Sequence, residues 1–100
     1  MSTLIYKAPM LYYSQRDEDA FFGWLQAIPG VISVRGLGRE LHIRMRSKRV
    51  SAEALRELLA LYKRYKGDMS ELAQFENSSN TVWFRDPKSY WYRRVFAGEQ

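Results

Sequence analysis

The stretch that decides the fold runs from Val31 to Arg46 and has the sequence VISVRGLGRELHIRMR. It holds two runs of β-forming residues, and the segment Gly36–Glu40 between them carries two glycines, which is typical of a hairpin loop. In the second run aliphatic and basic side chains alternate: Leu41, Ile43 and Met45 against His42, Arg44 and Arg46. Because alternate side chains of a strand point to opposite faces, this pattern predicts a β-hairpin with one buried face and one basic face.

A strand and a helix are predicted before the hairpin. Thr3–Ala8 is rich in β-forming residues and predicts a strand. Ser14 has the side chain of a helix N-cap, and the acidic residues that follow it suit the positive end of a helix. Apolar residues then recur at helical spacing: Phe21, Trp24, Leu25 and Ile28. This helix is expected to end at Pro29–Gly30.

The strongest helix of the sequence follows the hairpin. Ser51 is its predicted N-cap, and Gly67 is expected to stop it. One apolar stripe runs along it and consists of Leu55, Leu58, Leu59 and Tyr62. An amphipathic pattern of this kind predicts a helix that packs on the sheet.

Two further helices are predicted in the C-terminal third. Asp68–Glu71 matches a reciprocal capping pattern and predicts a short helix through Phe75. Residues 77–80 are Asn-Ser-Ser-Asn and predict a loop. Asp86–Pro87 has the pattern of a second cap with proline at the first helical position, and the last helix should run to about Phe96.

The predicted element order is β-α-β-β-α-α-α, which belongs to the α+β class. We expect residues 1–100 to form one domain, in which a three-stranded sheet has its helices packed on one face. The order of the first five elements resembles that of a ferredoxin-like fold that lacks its last strand. This resemblance implies an architecture and carries no function.

Positive charge is concentrated around the hairpin. The 100 residues carry a net charge of +5, and Val34–Lys66 alone contains ten Lys and Arg against three Glu. Such a local field attracts partners that are acidic or carry phosphates. The position of the positive charge therefore indicates more about possible partners than the net charge of +5 does.

The cellular compartment is inferred from what the chain lacks. It has no cysteine, which excludes disulfides and thiolate chemistry and fits a reducing compartment. Its first residues lack the features of a signal peptide, and no apolar run approaches the ~18 residues needed to span a bilayer. We expect a cytoplasmic protein with no membrane partner.

The basic face of the hairpin and the residues just after it form the first candidate binding surface. Its members are Arg35, His42, Arg44, Arg46, Lys48 and Arg49. Arg35 joins this face if Ile32 and Val34 point inward. We expect no acidic residue on it, and clustered guanidinium groups bind carboxylates or phosphates through a planar fork of donors. The alternative is an ordinary solvated face, since the uncovered side of a sheet must be polar.

An aromatic tail is the second candidate, with six aromatic residues in the segment 83–96: Trp83, Phe84, Tyr90, Trp91, Tyr92 and Phe96. Its apolar side is expected to dock on the domain and complete the core. Tyr90, Arg93 and Arg94 then face outward. The alternative is that the tail itself binds a partner, because Trp, Tyr and Arg are frequent anchors of protein interfaces.

These features favour a non-catalytic protein–protein interaction module, such as an adaptor, an inhibitor or a small bacterial immunity-like protein. We expect its partner to be a protein with an acidic face, because complementary potentials speed association. A homodimer is a further option, either through a free strand edge or through the aromatic tail.

Two other functions stay open. Nucleic acid could bind the basic hairpin through phosphate contacts, although its strands lack the aromatic residues on which RNA-recognition domains stack bases. A small enzyme is the less favoured alternative, because His42 is the only histidine and the acidic residues form no pair with an evident general acid. We therefore predict no catalytic, cofactor-binding or metal-binding residues.

Overall fold

A computed structural model of the chain describes residues 2–7 and 12–97. Its elements are β1 Ser2–Lys7, α1 Gln15–Ala27, β2 Val31–Leu37, β3 Glu40–Met45, α2 Ala52–Arg64, a 3₁₀ helix Met69–Phe75, α3 Thr81–Phe84 and α4 Tyr92–Phe96. The predicted α+β class is confirmed. The predicted end of the first strand at Ala8 lies outside the described residues.

The strands form one antiparallel sheet in the order β1-β3-β2. Because β1 and β2 both run antiparallel to β3, they are parallel to each other, with β3 between them. Helix α1 thus connects two strands that are not neighbours, as in the ferredoxin-like order. Two neighbouring rows across the sheet consist of Leu4, Ile43 and Val34, and of Ile5, His42 and Arg35.

The hairpin between β2 and β3 closes through a tight turn at Gly38 and Arg39. Gly38 has a φ of 60°, in the left-handed region that glycine adopts without steric cost. The ladder therefore extends through Gly36 and Leu37 on β2, and Glu40 pairs with Leu37. β2 is therefore two residues longer than the sequence predicts, and β3 begins and ends one residue earlier, so Glu40 belongs to a strand instead of a loop.

The core lies between the sheet and the helices that cover one of its faces. Fully buried side chains come from both layers: Leu4, Ile43 and Met45 of the sheet, and Phe21, Leu25, Leu55, Leu58 and Leu59 of the helices. Tyr6 lies where β1, α1 and α2 meet. Its ring packs against Phe21 and Tyr62 at centroid distances of 5.6 and 4.9 Å, and its hydroxyl donates to the Tyr65 carbonyl at 2.9 Å.

The segment after α2 forms two short helices where the sequence predicts one. Asp68 caps the 3₁₀ helix, because its carboxylate accepts a hydrogen bond from the Ser70 amide at 3.1 Å. Residues 77–80 then form a turn, and the buried side chain of Asn80 donates to the Phe75 carbonyl at 2.8 Å. This bond holds the turn against the end of the 3₁₀ helix, and α3 begins immediately after it.

The last helix is shorter than predicted. Asp86 accepts a hydrogen bond from the Lys88 amide at 2.9 Å, but Pro87 lies in a turn rather than at the start of a helix. The indole Nε1 of Trp91 donates to the Phe84 carbonyl at 2.7 Å and ties the end of this turn back to α3. Helical structure resumes only at α4.

The turn after α2 places Gly67 against two aromatic rings. Lys66, rather than the glycine, has the left-handed backbone at the end of this helix, with a φ of 62°. A Cβ at Gly67 would lie 2.9 Å from both Tyr6 Cζ and Tyr62 Cδ2, which is closer than van der Waals contact allows. Glycine is required here because the rings approach so closely.

Gly67→Ala is expected to destabilise the protein by about 1–3 kcal/mol, because the added methyl group overpacks two buried rings. The control is Gly23→Ala, since Gly23 is exposed on α1 and an added Cβ would meet no atom within 4 Å. That change should stabilise the fold by about 0.5–1 kcal/mol. Urea titrations measure both free energies of unfolding, and equal values for the two variants would contradict the packing at Gly67.

Candidate functional site

The face of the sheet that points away from the helices is the candidate binding surface, and we name it the open face. Its side chains form three rows across β1, β3 and β2: Thr3, Arg44 and Ser33; Ile5, His42 and Arg35; Lys7, Glu40 and Leu37. All of them are exposed or half-buried, whereas Ile43 on the opposite face of β3 is fully buried. The described helices therefore leave this face accessible.

Three of the predicted binding residues meet on the open face. Arg44 occupies the central strand, and Arg35 on β2 lies directly opposite His42 on β3. Both arginines are exposed, and Arg35 makes no ion pair with any described residue. Their guanidinium groups lie in adjacent rows, which suits a partner that presents more than one carboxylate.

The other predicted hairpin residues lie beyond the end of β3. Arg46, Lys48 and Arg49 are all exposed. Arg46 and Arg49 line a cleft of about 210 Å³ together with Gly30 and other residues of the adjacent turns. These side chains extend the basic surface past the end of the strands, so they flank the open face instead of belonging to its rows.

The expectation that the basic face holds no acidic residue is wrong. Glu40 precedes His42 by two positions on β3, so both side chains point to the open face. Glu40 Oε1 lies 3.1 Å from His42 Nε2. The sequence pattern assigned Glu40 to a loop, and the tight turn at Gly38 places it in the strand. This pair offsets part of the positive charge contributed by Arg35 and Arg44.

A β-bulge changes which residues of β2 face the core. The register shifts between Val31 and Ser33, so Ile32 has no partner on β3 and is 49% exposed. Val34 pairs with the buried Ile43, so this half of the condition for placing Arg35 on the basic face is met, whereas Ile32 does not meet it. Because a bulge interrupts the ladder at a sheet edge, it discourages pairing with another edge. Self-association stays a prediction.

Apolar members of the open face were missed by sequence reasoning. Ile5 is half-buried in the middle row, and Leu37 is 53% exposed at one end of β2. The position of Ile5 could have been found from strand periodicity, because it lies between the inward-facing Leu4 and Tyr6. The open face therefore combines cations with apolar side chains.

The aromatic tail docks on the domain as predicted. Its buried residues are Phe84, Trp91, Val95 and Phe96. Tyr90, Arg93 and Arg94 are exposed, also as predicted. Tyr90 lines a groove together with residues of α1 and α2, and the two arginines lie on α4. None of the three is part of the open face, so the predicted binding residues fall on separate surfaces.

A charged pair fixes the start of the tail. The Glu76 carboxylate accepts hydrogen bonds from Thr81 Oγ1 at 2.6 Å and from Arg85 Nε and Nη2 at 2.7 and 2.6 Å. The Arg85 guanidinium also lies 4.2 Å from the centroid of the Phe96 ring. Hydrogen bonds from Arg85 and then from Thr81 lower the pKa of Glu76 to about 2. The pair thus connects the end of the 3₁₀ helix with both α3 and α4.

Metal ligation and membrane insertion find no support within residues 2–7 and 12–97. This part of the chain contains no cluster of three or more His, Cys, Asp or Glu side chains that could hold a metal ion. None of its helices has the length and apolar character that crossing a membrane requires.

The chain matches no protein-family model, no curated protein and no solved structure. The functional inference therefore rests on the geometry and charge of its surfaces.

The Glu76–Arg85 pair predicts a specific acid sensitivity. A carboxyl with a pKa of about 2 in the folded protein and an ordinary value of 4.5 stabilises the fold above pH 4.5, and this contribution is lost as the pH falls toward 2. Glu76→Gln should therefore be less stable than the wild type at neutral pH. The difference between their free energies of unfolding should shrink between about pH 5 and pH 2.

Denaturant titrations at a series of pH values measure this difference. The control is the same substitution in an Arg85→Gln background, because the Arg85 hydrogen bonds are the largest cause of the lowered pKa of Glu76. In that background the Glu76→Gln difference should stay more nearly constant over the same pH range. A Glu76→Gln difference that is equally constant when Arg85 is present would show that the pair does not stabilise the tail.

Proposed function

We propose that this protein is a non-catalytic binding module that recognises an acidic surface of another protein through the open face. The observation that carries the proposal is that no described helix covers the outer side of the central strand. β3 presents His42 and Arg44 outward, and the strands on either side of it add Lys7 and Arg35. A sheet that is hydrogen-bonded on both sides of its central strand holds these side chains on a rigid platform.

The composition of the open face supports a protein partner. Arg35 and Arg44 supply donors in a planar fork that matches the geometry of carboxylates. Ile5 and Leu37 add apolar area beside them, and Ile32 extends that area at the β2 edge. Protein interfaces commonly combine an apolar centre with a polar rim, and arginine is enriched in them.

This surface supports a binding role as an adaptor, an inhibitor or an immunity-like protein. Each of these roles requires a shaped and charged face and no reaction at the protein itself. Because long-range attraction between opposite charges steers the encounter, association with an acidic partner should be fast at low salt and slower at high salt.

Nucleic acid is less well matched to this surface. The three rows of the open face contain no aromatic side chain, whereas RNA-recognition sheets stack bases on aromatic rings. Arginine contacts alone would give binding dominated by phosphates, with little reading of sequence. The same surface variants distinguish this alternative from the proposal.

The test reverses two charges on the open face, with Arg35→Glu and Arg44→Glu combined. The wild-type protein is cross-linked in extracts of the native host, and a protein that it captures is purified for affinity measurements with each variant. The double variant should weaken binding at least about 100-fold, because like charges placed opposite each other cost several kcal/mol. The affinity of the wild type should fall as ionic strength rises.

The matched control is Arg93→Glu with Arg94→Glu, which makes the same charge change at two exposed positions of α4. It should bind the purified partner within about three-fold of the wild type. Loss of binding in the control, with binding retained in the open-face variant, would refute the proposal. A labelled DNA duplex or single strand that binds the wild type and not the open-face variant, with steep salt dependence, would establish the nucleic-acid function instead.

A further inference from the structure

An open groove lies on the outer side of the helices, apart from the open face of the sheet. Its volume is about 550 Å³, and it is lined by Trp24 of α1, by Ala60, Lys63 and Arg64 of α2, and by Tyr90 of the turn before α4. Tyr90 is 53% exposed, and Trp24 is half-buried. The groove thus has two aromatic walls, a small side chain between them and two cations.

The aromatic walls are held by neighbouring side chains. Trp24 Nε1 donates to Glu57 Oε1 at 2.7 Å, which fixes the indole against α2. Tyr90 packs edge-on against the buried Trp91 at a centroid distance of 4.9 Å. Trp91 is in turn anchored on the Phe84 carbonyl. Both walls are therefore in place before a ligand arrives, which lowers the entropic cost of binding.

The charge of the groove is positive. Lys63 and Arg64 are exposed, and neither forms an ion pair with a carboxylate of the described residues. Glu57 keeps its negative charge when it accepts the indole hydrogen bond, and this charge acts on Tyr90. Arg56 acts on Tyr90 with the opposite sign, so the net charge around the groove stays positive. Two cations beside two aromatic rings complement a ligand that carries carboxylates next to a bulky apolar group.

We propose that this groove binds an acidic segment of a partner protein, in which an aromatic or large aliphatic side chain is flanked by Asp or Glu. The bulky side chain lies between Trp24 and Tyr90, and the flanking carboxylates contact Lys63 and Arg64. The groove is open to solvent, whereas sites for small molecules enclose most of the ligand surface. This openness favours a peptide segment, and Trp, Tyr and Arg are the usual anchors of such contacts.

The test uses a fluorescein-labelled peptide, Gly-Glu-Asp-Phe-Glu-Asp-amide, and fluorescence polarisation at low salt. Tyr90→Ala should weaken its binding about ten-fold or more, and so should Lys63→Gln combined with Arg64→Gln. Tyr90→Phe keeps the ring and should leave the affinity within about two-fold. The matched control, Arg93→Gln with Arg94→Gln, also removes two positive charges, but from α4 instead of the groove. It should bind like the wild type. Circular dichroism confirms that each variant is folded.

Nuclear magnetic resonance locates the peptide on the wild-type protein. The Trp24 indole N–H and the Lys63 and Arg64 amides should show the largest shifts, while the open-face amides of β3 stay unchanged. Replacing the phenylalanine of the peptide by alanine should abolish these shifts. The proposal is overturned by absence of binding up to about 1 mM peptide, by equal affinity of all variants, or by N-acetylphenylalanine competing as well as the peptide. None of these outcomes bears on the open face.

Discussion

The structure depends on the burial of alternate side chains along β3, its central strand. Because β3 is hydrogen-bonded to both β1 and β2, the alternation of its side chains determines which face of the whole sheet packs against the helices. Leu41, Ile43 and Met45 are buried under the helices, so His42 and Arg44 must face the opposite side. A register shift of one residue would bury the arginine and expose the core, and its energetic cost makes this arrangement unique.

The described helices lie on one face of the sheet, and the packing around Tyr6 explains how they are joined to it. Its ring contacts α1 through Phe21 and α2 through Tyr62, and Gly67 gives the chain room to pass beside both rings. The segment after α2 packs on the helical layer, where the guanidinium carbon of Arg56 lies 4.1 Å from the centroid of the Trp83 ring. The aromatic tail therefore completes the core and leaves the open face accessible.

Two surfaces with different shapes share a positive charge. The open face is a sheet surface on which arginines and apolar side chains lie in rows, and the groove is a concave site between aromatic walls. Both are proposed to bind acidic proteins, and the proposed source of specificity differs: the spacing of guanidinium groups on the sheet, and the fit of one bulky side chain in the groove. A chain of this size that uses both would contact its partners on opposite sides of one core.

The sequence by itself determined the features that depend on near neighbours in the chain. The strand alternation around Ile43 and the N-caps at Ser14 and Ser51 were predicted correctly, because each depends on residues a few positions apart. Tertiary structure alone decided the bulge at Ile32 and the groove between Trp24 and Tyr90, since these depend on partners that are distant in sequence. The packing of the folded chain brings these partners together, and the local sequence pattern does not encode that packing.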